Sequence, residues 1–428
     1  MFRIDLVEYE TSGVIDKELI NEADRIFLSK LQYDNKNSQG PKIIIREEQA
    51  GVYFTAKNFV GVIKLSQVQI NIFPRFDGSF SSLIQMILFC NGMNYEYYQK
   101  DIQSTEDNLN LSEIIVEFLL GEVRNITERG LFKEYVKYNR NLKVVRGRIN
   151  IRKQLTNNFL RGDIINCNFE ELDTDVVENK IILKALNIAK RITKNRDLLK
   201  EVNKYQAIFK QFCSELKKNE VPDIKYHRLN SYYEEAHLYS KLIIENIGTE
   251  NIYTGKNSSS YSLLVNINDL FEEFVAQLFI KYLSNKYQIK AQKRITDAIV
   301  DKNSNRYRDI IPDLYFKNRK TDEVIIVDMK NKDYGEKKIQ NKDIYQLSFY
   351  GMYFYDMFGD NSNLLIIYPN YRNSFNKESK LQLNTYQTRD NSPYIRVKGI
   401  DINMFLDLLK NEIKNREKII KKLDAILI

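Results

Sequence analysis

The sequence predicts a multidomain protein: a β-rich N-terminal domain over 1–105, a mainly helical middle region over 106–262 and a C-terminal α/β domain with a mixed central sheet over 263–428. Three observations predict it. At 428 residues the chain is too long for one ordinary core. Short β-branched and aromatic runs crowd its beginning, and apolar residues recur at helical spacing through its middle. In the last part strands alternate with helices, the pattern of a sheet covered by crossover helices.

In the first domain KIIIREEQ, VYFTAK, FVGVIKL and VQINIFPRF are predicted strands, with turn signals in NKNSQGP before them and FDGS after them. SSLIQMILFCNGM follows as a helix. The middle region opens on LSEIIVEFLLGEVRNITERG, a helix with Ser112 as N-cap and Gly130 as its stop. DTDVVENKIILKALNIAKRI and LLKEVNKYQAIFKQFC carry the same periodicity. Before them LKVVRGRINIRKQL reads as a basic strand. Its Arg146, Arg148 and Arg152 are candidates for contact with a phosphate backbone or an acidic partner surface, and a solvated edge strand is the alternative.

TENIYTGKNSSSYS, residues 249–262, is a predicted loop. In the last domain a helix (NDLFEEFVAQLFIKYLSNKY) precedes strands QIKAQK, DIIPDLYF and EVIIVDMK. A crossover helix (NKDIYQLSFYGMYFYDMF), a strand (NLLIIYP) and a further strand near YIRVKGI come next. An amphipathic helix from about Asn403 to Ala425 closes the chain, and its Lys410, Lys414, Lys418, Lys421 and Lys422 read as a solvated face, with a track for DNA as the alternative.

Composition excludes several chemistries. Cys90, Cys167 and Cys213 are odd in number and widely spaced, so neither a disulfide framework nor a zinc ribbon follows. Two histidines, His227 and His237, leave little room for histidine-based triads or metal sites. Gly255-Lys256 lacks the phosphate-loop spacing to Gly248, and Asn257 stands where that motif needs Ser or Thr, so no nucleotide site is expected. No apolar stretch reaches the roughly 18 residues that span a bilayer, and MFRIDLVEYE has acids where a signal peptide would be apolar. A cytoplasmic protein without a membrane partner is expected. The excess charge sits late: residues 263–428 hold 28 Lys+Arg against 22 Asp+Glu.

The chemistry concentrates in IIPDLYFKNRKTDEVIIVDMK. Alternation along EVIIVDMK puts Asp328 and Lys330 on one face and Met329 on the other. A return through KNRKTDE brings Asp313 beside Asp328. Two carboxylates at that separation repel unless a cation lies between them, and an all-oxygen ligand set suits Mg²⁺. A lysine beside them is a fixed donor for a phosphoryl transition state, so the pattern asks for phosphodiester hydrolysis. Glu272, on the helix opening this domain, is an additional candidate ligand. Gln346 and Tyr350 share a face of the crossover helix and are candidates to contact a DNA phosphate or organise the lysine. Context carries the weight, because Pro222-Asp223 repeats the PD pair with no acid-x-Lys after it, and Asp34 to Lys36 repeats D-x-K with no strand before it.

Asp313, Asp328 and Lys330 match the PD-(D/E)XK nuclease pattern, and VDMKNK, YQLSFYGMYF and LLIIYP in that order resemble the McrC family of modification-dependent restriction systems. RGRINIRKQL, ENKIILKALNIAKRI and LFEEFVAQLFIKYL resemble the same family upstream, so the resemblance covers roughly residues 110–428. It implies a DNA endonuclease subunit acting on double-stranded 5-methylcytosine DNA with a McrB-like AAA+ GTPase hexamer, which it stimulates. It further implies that Asp313 and Asp328 hold Mg²⁺, for which Mn²⁺ substitutes, with the Met329 carbonyl as a further ligand and Lys330 serving the attacking water. Glu272 is matched less well, because Glu273 competes for the role. The alternatives are a non-catalytic adaptor that binds DNA and activates the GTPase, and a stand-alone repair nuclease with the same core.

Overall fold

A computed structural model describes residues 2–33, 40–76, 78–92, 111–216, 221–244, 260–303, 305–335, 337–358, 362–371, 379–382 and 394–427. The expected loop over 249–262 lies outside them up to residue 259, as do Gly248, Gly255, Lys256, Asn257 and the Asp34 to Lys36 triplet. The NKNSQGP and FDGS turns lie partly outside them.

The chain opens on β1 (Phe2–Val7) and α1 (Glu22–Tyr33). The hairpin of β2 (Ile43–Glu48) and β3 (Gly51–Ala56), then β4 (Phe59–Lys64), β5 (Val68–Phe73) and α2 (Phe80–Cys90), follow where the sequence predicts them. β1 is an addition. Ile4 and Leu6 are buried while Phe2, Asp5 and Val7 are exposed, and the strand lies parallel to β5.

The middle region contains α3 (Leu111–Arg129), β6 (Glu134–Leu142), β7 (Arg148–Ile149), α4 (Ile151–Asn157) and β8 (Ile165–Asp173). Helices α5 (Val177–Ile192), α6 (Arg196–Phe212) and α7 (Glu234–Ile243) pack with α3 as a bundle. Gly130 ends α3 with φ 101°, a left-handed turn that suits a residue without Cβ. Ser112 does not cap this helix: it is buried inside the first turn, one residue after Leu111. The stretch expected as one basic strand is also divided. The Asn150 side chain accepts from the Lys153 amide at 3.1 Å and starts α4, a helix with no buried residue. β6, β8 and β7 form a three-stranded arm largely open to solvent.

β9 (Tyr261–Asn266) returns to the N-terminal sheet, whose order is β1-β5-β4-β9. The expected boundary between 262 and 263 falls inside this strand. Gly61 of β4 stands opposite Leu264 at φ +137°, and a Cβ there would lie 2.0 Å from the Leu263 carbonyl oxygen. Gly61→Ala is expected to cost roughly 2–3 kcal/mol of stability through backbone strain and overpacking. An unchanged urea midpoint would contradict so close an approach.

The remaining elements are α8 (Ile267–Leu283), β10 (Tyr287–Ala291), β11 (Ile295–Val300), β12 (Arg306–Ile310), β13 (Leu314–Asn318) and β14 (Val324–Met329). They are followed by α9 (Asn341–Phe358), β15 (Ser362–Pro369), β16 (Ser379–Gln382), β17 (Tyr394–Ile400), α10 (Ile402–Leu409) and α11 (Glu412–Leu427). The six-stranded sheet runs β10-β13-β14-β15-β17-β16, with β14, β15 and β17 parallel and the rest antiparallel. Burial on both faces explains the unbroken apolar run of β14. Val324 and Ile326 pack with Leu347, Tyr350 and Phe354 of α9. Ile325, Val327 and Met329 join the core that continues through α8 into the N-terminal sheet.

Two expected elements are split. DIIPDLYF becomes β12 and β13, with Ile311, Pro312 and Asp313 outside any strand, because Pro312 has no N–H for a ladder. The closing helix breaks between α10 and α11, where the Asn415 side chain donates to the Leu408 carbonyl at 2.9 Å. Gln85 ties the N-terminal part to α10 by donating to the Leu406 carbonyl at 2.7 Å, and Lys281 of α8 pairs with Glu412 of α11 at 2.7 Å. No helix among the described residues is long and apolar enough to cross a membrane.

Candidate active site

The last antiparallel pair between β13 and β14 is Leu314 with Val327, so one further step sets Asp313 against Asp328. Alternation turns Asp328 away from the face of Val327 and Met329, and it is fully buried. Two residues on, Lys330 Nζ donates to Asp328 Oδ1 at 2.8 Å. The Met329 amide, not its buried side chain, reaches the site by donating to Asp313 Oδ2 at 2.6 Å. The structure thus brings Asp313, Asp328 and Lys330 together. Asp328 Oδ2 is buried with no hydrogen-bond partner.

The supporting helices explain how these groups are held. On α9 Gln346 donates to Tyr350 Oη at 3.0 Å, and Tyr350 donates to the Ile311 carbonyl at 3.2 Å. Tyr350 thereby pins the segment whose next residues are Pro312 and Asp313. On α8 Glu272 is half-buried and within electrostatic reach of Asp313 and Lys330, while Glu273 is exposed. Arg146, Arg148 and Arg152 lie elsewhere, on the three-stranded arm. Arg146 is held by Glu171 through two hydrogen bonds of 3.2 Å and covers the Phe169 ring, while Arg148 and Arg152 are exposed.

Burial, then the neighbouring Asp313 charge, push Asp328 up to about 7 against the pull of Lys330. Burial and Asp313 likewise raise Glu272 to about 8. Asp313 is raised by burial, partly offset by Lys330 and the Met329 amide. Burial alone would lower Lys330, but Asp328 and Asp313 outweigh it and raise its pKa, so this lysine stays an ammonium donor. Such a cluster is short of positive charge.

Several participants were not foreseen from sequence. Lys332 donates to Asp343 Oδ2 at 2.6 Å and to Gln340 at 3.0 Å, and Tyr334 also donates to Asp343, which ties the start of α9 to the end of β14. Asn331 donates to Asn268 of α8 at 2.9 Å and to Glu8 at 3.5 Å, and it accepts from Tyr371. Burial raises Glu8 to about 7. The polar run KNKD after β14 was the available signal for the first group. Nothing local in the sequence links residue 8 to residue 331.

The residues fit a hard divalent cation. The orphaned Asp328 oxygen and the adjoining Asp313, an all-oxygen donor pair, suit Mg²⁺, which keeps several of its waters. Among the described residues no three His, Cys, Asp or Glu side chains form a compact cation cage. Asp313 and Asp328, with Glu272 within electrostatic reach, are what the described residues offer there.

The profile of a family described as McrBC 5-methylcytosine restriction system component matches residues 54–369. Among solved structures the chain is similar to a refined half-complex from a tetradecameric assembly of Thermococcus gammatolerans McrB AAA+ hexamers with bound McrC. That likeness has 17% identity and a TM-score of 0.62, and it covers 100% of this chain and 100% of that chain. The cryo-EM structure of the Thermococcus gammatolerans McrBC complex is also similar, at 18% identity over 66% of this chain and 88% of that chain, with a TM-score of 0.47. No curated protein matches. At these identities the first likeness is one of fold.

Proposed function

The chain belongs to the McrBC 5-methylcytosine restriction system component family, and from that premise we propose that it is the Mg²⁺-dependent endonuclease subunit of such a system. Its C-terminal sheet is then a PD-(D/E)XK nuclease domain. The observation that carries this reading is the buried Asp328 oxygen without a partner, set beside Asp313 and a charged Lys330. An adaptor without catalysis gains nothing from holding two acids together at a desolvation cost.

Asp313 and Asp328 would hold the metal, with the Met329 carbonyl as a further ligand and Glu272 as a nearby acid. At such a site Mg²⁺ would supply an acidified water and positive charge against the phosphoryl group. Lys330, protonated and tethered to Asp328 at 2.8 Å, donates to the oxygen where negative charge builds. Tyr350 and Gln346 keep the Asp313 segment in place, so the acids meet the phosphate pre-arranged.

The similar Thermococcus gammatolerans structure holds McrC bound to McrB AAA+ hexamers, and a McrB-like GTPase is proposed as the partner here. The three-stranded arm is its docking surface, because it exposes Val144, Ile151, Leu155, Phe159 and Leu160 beside Arg148 and Arg152. The nucleotide hydrolysis belongs to that partner, and the complex acts on cytoplasmic DNA.

The test combines the chain with the AAA+ protein encoded beside it, GTP, Mg²⁺ and duplex DNA with or without 5-methylcytosine. Cleavage confined to methylated DNA and dependent on both GTP and partner is expected. Cleavage without partner or nucleotide would favour a stand-alone nuclease, and GTPase stimulation with no cutting in any divalent cation would favour the adaptor. A paired Phe159→Asp and Leu160→Asp variant should weaken partner binding by about 30-fold or more, the effect of losing a hot spot near 2 kcal/mol. Unaltered GTPase stimulation by that variant would move the docking surface elsewhere.

A further inference from the structure

Between β10 and β13 the chain leaves the central sheet, makes the β11–β12 ribbon and returns at Asp313. The ribbon is rooted at the candidate site: Gln292 donates to the Asp313 carbonyl at 2.9 Å, directly after the Ala291–Leu314 pair. From Asp313 to Tyr307 six residues span at most about 20 Å, enough to cross the ~12 Å width of the DNA major groove. A two-stranded ribbon is one of the forms that groove admits.

The ribbon has two irregularities, the first a wider mismatch on β11 between the Ile295–Ile310 and Ile299–Arg308 pairs. At the second, Ile299 pairs with Arg308, yet Val300 pairs with Arg306, so Tyr307 is an extra residue on β12. Such bulges re-aim a side chain and are frequent beside active sites. Tyr307 is 77% exposed, a large aromatic with no packing role. On either side Arg306 is bound by Asp309, but Arg308 and Lys302 are exposed and have no ion-pair partner among the described residues.

We propose that the β11–β12 ribbon grips the DNA duplex flanking the scissile phosphate, with Arg308 and Lys302 on phosphates and the bulged Tyr307 packed into the adjoining groove. This rests on the nuclease reading above and adds the surface that orients its substrate. Free cations at the end of the ribbon meet a polyanion, while the ring contributes contact area that does not depend on salt. The stub at Asp313 fixes the spacing between grip and cut.

The experiment measures binding of the full chain to a short fluorescein-labelled duplex in EDTA across a salt titration, so no chemistry enters. Arg308→Ala and Lys302→Ala should each lower the slope of log affinity against log salt by about 0.9. Tyr307→Ala should weaken binding roughly 5- to 30-fold at unchanged slope, and Tyr307→Phe should restore it. With the partner and Mg²⁺, the same variants should raise KM for DNA while kcat at saturation stays within about twofold, since they touch no reacting atom. Wild-type affinity and slope in both Tyr307→Ala and Arg308→Ala would overturn the proposal. So would loss of GTPase stimulation with DNA binding intact, because the ribbon would then be a protein contact. Ribbon-dependent binding without cleavage by any metal-loaded complex would sink the nuclease reading and leave the ribbon standing.

Discussion

Asp328→Asn is expected to reduce DNA cleavage by the partner-bound complex at least ~10³-fold, about 4 kcal/mol in the barrier. The isosteric amide keeps the buried shape and an acceptor for Lys330, but it removes the negative charge at the oxygen that has no protein partner. DNA binding in EDTA and stimulation of the GTPase should stay near wild type. Lys330→Met should approach the same loss without the same effect on metal affinity, because the ammonium acts as a donor to the substrate. Cleavage by Asp328→Asn at the wild-type rate would displace the proposed site from the end of β14. Loss of cleavage together with lost GTPase stimulation would instead mean that the substitution damages the fold.

The metal-free chain should lose stability as pH rises from 6 to 8, and Mg²⁺ should restore most of the loss. Asp328 and Glu8 have folded pKa values raised to about 7, and Glu272 to about 8. An acid raised on folding binds its proton more tightly in the native state. Its stabilising effect is therefore complete below the unfolded value near 4 and drains away as pH climbs through the folded value. With three such groups the loss between pH 6 and 8 is on the order of 5 kcal/mol. A bound cation compensates the ionised carboxylates, so the thermal shift produced by Mg²⁺ should be larger at pH 8 than at pH 6. Asp328→Asn should flatten part of the metal-free slope, with Glu272 and Glu8 supplying the rest. A metal-free melting temperature that rises with pH over this range would contradict the burial of these acids.

Much of this architecture is legible in local sequence, for identifiable reasons. β14 is a run of Val and Ile buried on both faces, α9 repeats its apolar residues at helical spacing, and each forms as its pattern demands. Asp313, Asp328 and Lys330 converge because a short return and strict alternation leave a hairpin almost no freedom. What the sequence hides is longer in range. β1 alternates clearly but is only six residues long, and its partner β5 lies more than sixty positions away. Glu8 meets Asn331 across 323 positions, a contact no window of periodicity contains. The N-cap at Asn150 and the interruption at Pro312 were visible as residue types, yet continuous runs of apolar and basic residues around them favoured longer strands. Glu272 was separable from Glu273 only when the roll of α8 was known.

The strand β9 constrains how such proteins can be recombined. A chimaera that joins the cutting module of this chain to a foreign docking region is most naturally spliced where the polar stretch ends, near residue 263. That junction would divide Tyr261–Asn266 and leave β4 without one of its two neighbours. The donor fragment would arrive with its first helix untethered, and the recipient sheet would carry a bare edge, a template for unwanted pairing with other copies. A transplant that respects the molecule cuts ahead of Tyr261 and carries β4 along with β9, so the smallest portable unit is larger than the nuclease domain.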